Sequence, residues 1–209
     1  MYLPKHFEET RAEVLHQLLR AHPLGLLVTQ PGGELRADSI PFMLDAQRGP
    51  HGTLVAHVAR ANTLWREAAD GQALVVFQGA QAYVSPSAYP SKAEHGKVVP
   101  TWNYIMVQAR GRLRAIDDPA WLHALVSRLT ERHEASRAVP WEVSDAPLDY
   151  IEKMLGAIVG IEIQIEAITG KWKVSQNRSA ADRDGVARTL AAEGGAAAAM
   201  AQAVRDAAA

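Results

Sequence analysis

Two segments of this chain alternate between apolar and polar residues with a period of two, a pattern that only an extended strand with one buried face explains. In residues 107–115 the odd positions are small or apolar, and the even positions carry one glutamine and three arginines. In residues 161–167, isoleucine and alanine alternate with glutamate and glutamine. Side chains at i and i+2 share one face of a strand. The pattern predicts two half-buried strands, and if they pair, arginines and glutamates lie opposite each other.

The rest of the chain predicts a mainly β protein with peripheral helices. Short apolar runs bounded by glycine and proline predict four further strands: residues 25–29, 34–44, 53–59 and 73–78. Helical spacing of apolar residues predicts four helices: residues 7–21, 62–69, 119–136 and 147–155. Pro41 lies inside a predicted strand and indicates a bulge or an edge, because proline cannot donate to the ladder. Without alternating βα units, the elements predict a small closed or split β-barrel.

The length of 209 residues suits one main domain, which we place at residues 1–178. Residues 179–209 are rich in alanine and predict a helical tail. Gly194 and Gly195 lie in the middle of this tail, and we expect the helix to break or fray there.

Composition and motifs exclude several classes of site. The chain has no cysteine, and its net charge of −1 gives no overall basic excess for nucleic acid or an anionic membrane. No signal segment or long apolar run is visible, which predicts a cytoplasmic protein with no membrane contact. Neither a Gly-x-Gly-x-x-Gly nor a P-loop motif occurs, and the zinc-protease motif that begins at His133 is broken by Arg137. We therefore predict no catalytic residue and no metal ligand.

Residues 81–104 form the most informative segment, because four aromatic residues stand there among short polar side chains and prolines. The aromatic residues are Tyr83, Tyr89, Trp102 and Tyr104. Flat rings beside amides and hydroxyls suit a planar, phosphate-bearing cofactor. A proline-stiffened surface loop whose rings cap a barrel end is the equally simple alternative.

Residues 57–62 form a second candidate site, of the size of a phosphate. A predicted strand ends here and a helix begins, so free backbone N–H groups would face the gap. The guanidinium of Arg60 matches phosphate oxygens bidentately. Asn62 has a competing role as the N-cap of the helix, and His57 fits a structural histidine as well as a ligand-facing one.

Four blocks of the chain occur in an order that resembles a known family. They are MYLPKHFEE, HVARAN, YVSPSAYPSK with VPTWNY, and KWKVSQNR. Together they resemble the PaiB-type FMN-binding negative transcriptional regulators, a branch of the FMN-binding split-barrel proteins, over about residues 1–178. The resemblance implies a split β-barrel homodimer that holds FMN in a groove between its subunits, with a repressor role in some members.

The resemblance also implies residues for each part of FMN. It places the phosphate at Arg60 and Asn62. It places the flavin ring along Ser39, Ile40 and Pro41 and the backbone of His57, Val58 and Ala59. It lines the opposite wall with Lys92, Trp102 and Asn103, and the rim with Lys171, Ser175, Gln176 and Asn177, from the same or the second subunit.

Three functions remain open at this point. As a repressor the homodimer would bind promoter DNA, for which the best patch is the strand face of Arg110, Arg112 and Arg114, although such a face also suits solvent or a dimer contact. As a flavin-dependent oxidoreductase or flavin reductase the chain would position and tune FMN, and the flavin would carry the chemistry. In a third interpretation the groove holds haem, with His57 or His95 as the axial ligand.

Overall fold

The computed structural model describes residues 1–207, which form strands β1–β8 and helices α1–α7. The strands are β1 (Glu8–Glu9), β2 (Leu24–Thr29), β3 (Arg36–Pro41), β4 (Met43–Asp45), β5 (Thr53–Ala59), β6 (Gln72–Val84), β7 (Thr101–Ile116) and β8 (Ile158–Lys173). The helices are α1 (Ala12–Ala21), α2 (Leu64–Glu67), α3 (Ser91–His95), α4 (Pro119–Glu134), α5 (Leu148–Gly156), α6 (Ala180–Glu193) and α7 (Gly195–Asp206). Among these residues, no helix combines the length and the apolar character needed to cross a membrane.

The chain divides into two compact units, and the sheet strands contribute to both. The barrel unit consists of Leu19–Phe77 and Gln108–Ile168. The terminal unit consists of Met1–Leu18, Gln78–Val107 and the described residues from Thr169 onward.

The barrel unit is a sheet whose two ends meet. Its strand order is β3-β2-β6-β7-β8-β5-β4, with antiparallel pairing of β2 with β3 and of β5 with β8. The two outermost strands, β3 and β4, are consecutive in the chain and are joined by Phe42 alone. This one buried residue brings the ends of the strand order together, which makes the unit a barrel.

Alternating apolar side chains fill the barrel, and α4 covers part of it. Leu27, Leu54 and Ile163 are fully buried. Asp118 begins α4 as its N-cap, because its carboxylate accepts hydrogen bonds from the N–H groups of the first turn. Leu125 of α4 then packs with Met43 and Val55 of the barrel strands.

The terminal unit is built on the last part of β8 and on a helical hairpin. β1 pairs with β8 in antiparallel register, with Glu8 opposite Lys171. α6 and α7 contribute buried apolar side chains, and Gly194 separates them with φ of 72°, in the left-handed region. Close to the start of α6, the carboxylate of Asp182 accepts hydrogen bonds from the N–H and the hydroxyl of Ser91, at 3.1 and 2.9 Å.

The structure confirms the main predictions about the fold. The chain is a mainly β protein of the split-barrel class, and Pro41 ends an edge strand. Arg114 lies across from Glu162 and forms a salt bridge with it at 3.3 Å. The tail breaks at Gly194. The division of the chain at residue 178 stays a prediction.

Several predicted elements were wrong in extent. The first helix begins at Ala12 rather than at residue 7, because the preceding residues form a 3-10 turn and β1, whose pairing with β8 no local pattern reveals. The helix predicted over residues 62–69 has four residues. The aromatic segment is not one loop, since its two ends belong to β6 and β7. Glu162 is buried, because Arg48 and Arg114 both contact its carboxylate.

Candidate functional site

The residues predicted to line the flavin ring lie on two strands of the barrel unit that contact each other. Ser39, Ile40 and Pro41 end β3, and His57, Val58 and Ala59 end β5. The side chains of Ile40 and Val58 are buried in the core. Backbone groups and the side chains of Ser39, Pro41, His57 and Ala59 are therefore left to meet a ligand here. β3 is an edge strand, and an edge presents N–H and C=O groups without a ladder partner.

Arg60 follows β5 and is fully engaged by other parts of the barrel unit. Its two terminal nitrogens donate to the carboxylate of Asp117, at 2.8 and 2.6 Å. Nε donates to the carbonyl of Gly156 at 2.7 Å, and one terminal nitrogen also donates to the carbonyl of Ile158 at 3.1 Å. The hydrogen bond from Arg60 lowers the pKa of Asp117. A phosphate would reach this guanidinium bidentately only by displacing the carboxylate.

Asn62 takes the geometry of a cap. Its Oδ1 accepts a hydrogen bond from the N–H of Leu64 at 3.0 Å, and its Nδ2 donates to Asp38 at 3.3 Å. The second bond ties the segment after β5 to β3, next to Ser39. Because α2 has a single turn, its dipole adds little to phosphate binding. The phosphate role of Arg60 and Asn62 stays a prediction.

The two histidines considered as haem ligands differ in environment. His57 is half-buried, burial lowers its pKa, and its buried Nδ1 has no hydrogen-bond partner among the described residues. Its burial therefore favours the neutral form of the imidazole. His95 is exposed, and its Nδ1 accepts a hydrogen bond from the N–H of Lys97 at 3.0 Å.

Two lysines of the terminal unit are desolvated without a carboxylate partner. Lys171 is only 6% exposed, and Nζ of Lys171 donates to the carbonyl of Tyr2 at 3.0 Å. Nζ of Lys173 donates to the Thr101 hydroxyl at 2.5 Å and to the Trp102 carbonyl at 2.6 Å. Across the described residues, neither lysine forms a salt bridge. We call Lys171 and Lys173 the lysine pair.

The surroundings of Lys173 disfavour its positive charge. Burial lowers the pKa of Lys173, Tyr104 opposes this shift, and the nearby cations Lys171 and Arg178 add to it. The ring of Tyr104 lies 5.2 Å from Nζ of Lys171 and 5.9 Å from Nζ of Lys173. The face of an aromatic ring stabilises a cation electrostatically, but less strongly than an anion does. An anionic ligand here would restore the missing counter-charge.

Beside the lysine pair lies an amide with an unused acceptor. Asn103 is 1% exposed, and its Nδ2 donates to the Ser175 hydroxyl at 2.9 Å. Its buried Oδ1 has no partner within the part of the chain that the structure describes. Ser175 has φ of +66°, and the side chain of Gln176 closes the same turn through the N–H of Val174 and the carbonyl of Trp172. Because an orphaned buried acceptor is costly, a ligand with an N–H or O–H donor fits this position.

The predicted aromatic wall is only partly formed. Trp102 is 49% exposed and donates from its indole N–H to Gln81 at 3.0 Å, and the Tyr83 ring lies 6.1 Å from it. These two rings form an accessible aromatic surface. Tyr89 is buried instead, with the Arg178 guanidinium 4.9 Å from its ring centre.

Each unit thus brings together most of its own predicted residues. The barrel unit holds Ser39, Ile40, Pro41, His57, Val58, Ala59, Arg60 and Asn62, and the terminal unit holds Lys92, Trp102, Asn103, Lys171, Ser175, Gln176 and Asn177. The exceptions lie in the terminal unit: Lys92 stands exposed on α3, and the side chain of Asn177 is exposed. As in the prediction, their roles and the placement of FMN on these residues remain hypotheses.

The sequence prediction missed Lys173 and Asp117, and it named Tyr104 only as one ring of the aromatic segment. Lys173 is two positions after Lys171, so the strand period of two would have placed both on one face. Tyr104 follows from the same alternation in β7, two positions after Trp102. Asp117 precedes the N-cap Asp118, and a second acid at such a corner is a candidate partner for a nearby arginine.

Comparisons with known proteins agree with this geometry. The family model described as "Putative FMN-binding domain" matches residues 1–167. An uncharacterized protein of Emericella nidulans is 36% identical, with 89% of this chain and 88% of the relative covered. The Bacillus subtilis protein named protease synthase and sporulation protein PAI 2 is 33% identical, with 87% of this chain and 85% of the relative covered.

Among solved structures, the FAD and heme binding protein from Mycobacterium smegmatis matches with a TM-score of 0.59 at 18% identity. The match covers 79% of this chain and 73% of that one. The flavocytochrome Anf3 from Azotobacter vinelandii also matches with a TM-score of 0.59, at 14% identity, with 82% and 72% covered. At these identities the likeness concerns the fold.

The fold and the matching family model together define a flavin-binding split-barrel protein. The desolvated lysine pair and the orphaned Oδ1 of Asn103 fit the phosphate and the hydrogen-bond donors of a flavin mononucleotide. The chain belongs to the family of FMN-binding domains whose model it matches, and its cofactor is FMN.

Proposed function

We propose that this chain is a homodimeric regulatory protein of the PaiB type that binds FMN and represses transcription. The desolvated lysine pair carries the FMN part of this proposal. A buried cation, Lys171, and a partly buried cation, Lys173, lie close together without a carboxylate partner, and the phosphate dianion of FMN supplies the charge that they lack.

The phosphate is held by the lysine pair, and Arg60 is a structural link. Charge-assisted hydrogen bonds to phosphate oxygens are strong only if the donor is not already neutralised. Arg60 has a bidentate carboxylate partner, whereas the acceptors of Lys171 and Lys173 are neutral. Asn103 donates from Nδ2 to the Ser175 hydroxyl, so its Oδ1 keeps its acceptor capacity for a donor group of the flavin or the ribityl chain.

A second copy of the chain completes the proposed protein. Leu24 and Leu26 lie two residues apart on β2 and are 62% and 41% exposed, so both face outward from the barrel unit. Adjacent exposed leucines on a strand are typical of a contact surface. We expect a dimer in size-exclusion chromatography with light scattering, and a monomer for the double variant Leu24→Ser, Leu26→Ser.

The regulatory role is supported by similarity over most of the chain. The Bacillus subtilis relative is named for protease synthase and sporulation, and the sequence blocks resemble the PaiB-type negative regulators. Arg110 and Arg112 are exposed on β7, where they can meet phosphate groups of DNA.

A titration of the purified protein with FMN tests the cofactor site. Absorbance and flavin fluorescence should report one FMN bound per chain. Lys173→Met should weaken binding strongly, whereas Lys153→Met on the exposed side of α5 should leave it unchanged. Equal affinity of both variants would contradict the placement of the phosphate at the lysine pair.

A gel-shift experiment with promoter fragments tests the regulatory role. We expect binding that weakens steeply as salt rises, and that Arg110→Ala together with Arg112→Ala reduces it. The proposal would be contradicted if the protein showed no salt-sensitive binding to DNA either in the presence or in the absence of FMN. Turnover of NADH or NADPH by the FMN-loaded protein in the same preparations would favour the oxidoreductase instead.

A further inference from the structure

A cavity of about 880 Å³ lies between α4, α5 and the connection that joins them, all within the barrel unit. No residue predicted to bind FMN lines it. Its volume falls within the range of small-molecule sites, about 300–1,000 Å³. Its composition can therefore be examined for the ligand that it would accept.

One wall of the cavity is a polar stripe along α4. His123, Ser127, Thr130 and Glu131 line it, and these residues lie at i, i+4, i+7 and i+8, which is one face of a helix. The side chain of Glu131 takes part in no hydrogen bond or salt bridge among the described residues. A carboxylate that faces a cavity without a partner is available to a ligand.

The opposite wall is apolar and lacks a covering layer. Trp141 is 45% exposed, and its backbone N–H donates to the carboxylate of Glu134 at 3.3 Å, which fixes the chain at this point. Leu148 and Ile151 continue the wall on α5, a helix that buries none of its residues despite its apolar side. A ring or alkyl body placed here would remove this surface from water.

Charge decides the class of ligand. Glu131 and Glu142 are the acidic residues that line the cavity, and no lysine or arginine among the described residues lines it. An anion such as FMN is therefore repelled, and a cation is attracted. We propose that this cavity binds a small organic cation with an apolar ring, whose ammonium group pairs with Glu131 and whose ring packs on Trp141.

The test uses three probes of nearly equal size and different charge. They are phenethylamine, 2-phenylethanol and 3-phenylpropanoate, each titrated into the full chain by ligand-observed NMR. A ligand of this size should bind with a Kd on the order of 1 mM. We expect the amine to bind most tightly, the alcohol more weakly and the carboxylate least. Equal binding of amine and carboxylate, or no binding of the amine, would overturn the proposal.

Two variants with matched controls locate the site. Glu131→Gln and Trp141→Ala should each weaken the amine about tenfold. Glu152→Gln and Val139→Ala should not, because these exposed residues lie close in sequence but do not line the cavity. Full affinity in both site variants would place the amine elsewhere and refute the inference.

Two further readouts separate this inference from its alternatives. The FMN affinity of Glu131→Gln should equal that of the unchanged protein, because Glu131 lies outside the proposed flavin site. Binding of the amine can then be judged separately from the flavin proposal. If Trp141→Ala instead converts a dimer into a monomer and the amine does not bind, the cavity is a contact between copies of the chain, and the inference is wrong.

Discussion

Arg60 in the barrel unit and the lysine pair in the terminal unit are both predicted or proposed to bind the same phosphate, yet their surroundings are opposite. Arg60 is 35% exposed and holds the Asp117 carboxylate with two hydrogen bonds. Lys171 is almost fully buried, and the acceptor of its hydrogen bond is a backbone carbonyl rather than a carboxylate.

The difference separates a structural cation from a ligand-binding one. In an exposed ion pair, each charge is already compensated by its partner and by water, so the pair gains little from a further ligand. A desolvated cation without a counter-charge makes the free protein less stable, and an anion relieves that cost when it binds. Residue type alone favours arginine for phosphate, but the state of pairing favours the lysines.

Removal of a lysine should give the largest effect on this comparison. Lys173→Met should weaken FMN by about a hundredfold, because a charge-assisted hydrogen bond to the phosphate is lost. The free protein should lose little stability, since the partly buried ammonium group has only neutral acceptors and no counter-charge. Fluorescence titration and urea unfolding measure the two quantities. A loss of stability as large as the loss of affinity would mean that Lys173 is structural after all.

Conversion of the lysine pair into a partnered cation should give the next largest effect. Thr101 accepts a hydrogen bond from Lys173, so Thr101→Asp would place a carboxylate at that lysine, as Asp117 does for Arg60. We expect FMN affinity to fall about tenfold, since the carboxylate competes with phosphate and repels it. Thr101→Ser keeps the acceptor without charge and serves as the control. Unchanged FMN affinity in Thr101→Asp would contradict the proposed phosphate position.

The pH dependence of FMN binding should be smaller but diagnostic. Burial lowers the pKa of Lys173, so the charged form required for phosphate binding is lost at a lower pH than for an ordinary lysine. As pH rises, affinity should therefore begin to decrease below the ordinary lysine pKa of about 10.4, while the phosphate stays a dianion. Lys173→Met should flatten this profile. If FMN affinity fell with pH just as steeply in Lys173→Met, a group other than Lys173 would be responsible for the pH dependence.

Removal of the partner of Arg60 should give the smallest effect. If Arg60 binds the phosphate, Asp117→Asn frees its guanidinium and FMN binds more tightly. If Arg60 is structural, as the comparison indicates, affinity changes by less than about twofold and the melting temperature falls slightly. Asp149→Asn on α5 is a control for the loss of one surface carboxylate. Clearly tighter FMN binding in Asp117→Asn would reverse our assignment of the two regions.

Sequence patterns predicted the parts of the fold that depend on local order. The alternation in residues 107–115 and 161–167 reflects one buried face, and β7 and β8 contain both segments. The same patterns underestimated both strands, because their ends carry lysine, tryptophan and threonine, which do not alternate simply. Strand β1 was missed, since a Glu-Glu pair becomes a strand only through its pairing with β8.

The resemblance indicated which residues would form the candidate site, and their assignment to FMN stays a prediction. The electrostatics of the site depends on contacts that the sequence does not show. The resemblance of four sequence blocks indicated Asn103 and Lys171, which the structure places in one neighbourhood of the terminal unit. Whether a cation is paired depends on residues far along the chain, such as Asp117 for Arg60, 57 positions away. No local pattern encodes such a distant partner, so the paired arginine and the unpaired lysines looked alike in the sequence.

The connection between β3 and β4 is a single residue, so it fixes the distance between the ends of these two strands. Phe42 is 2% exposed, and its N–H donates to the carbonyl of Pro23 at 2.8 Å, so both its side chain and its backbone are anchored. The one-residue connection between β3 and β4 cannot lengthen to give the barrel a wider interior for a larger ligand. Engineering of the interior volume therefore has to lengthen other connections, such as the exposed turn at residues 46–51, and leave position 42 intact.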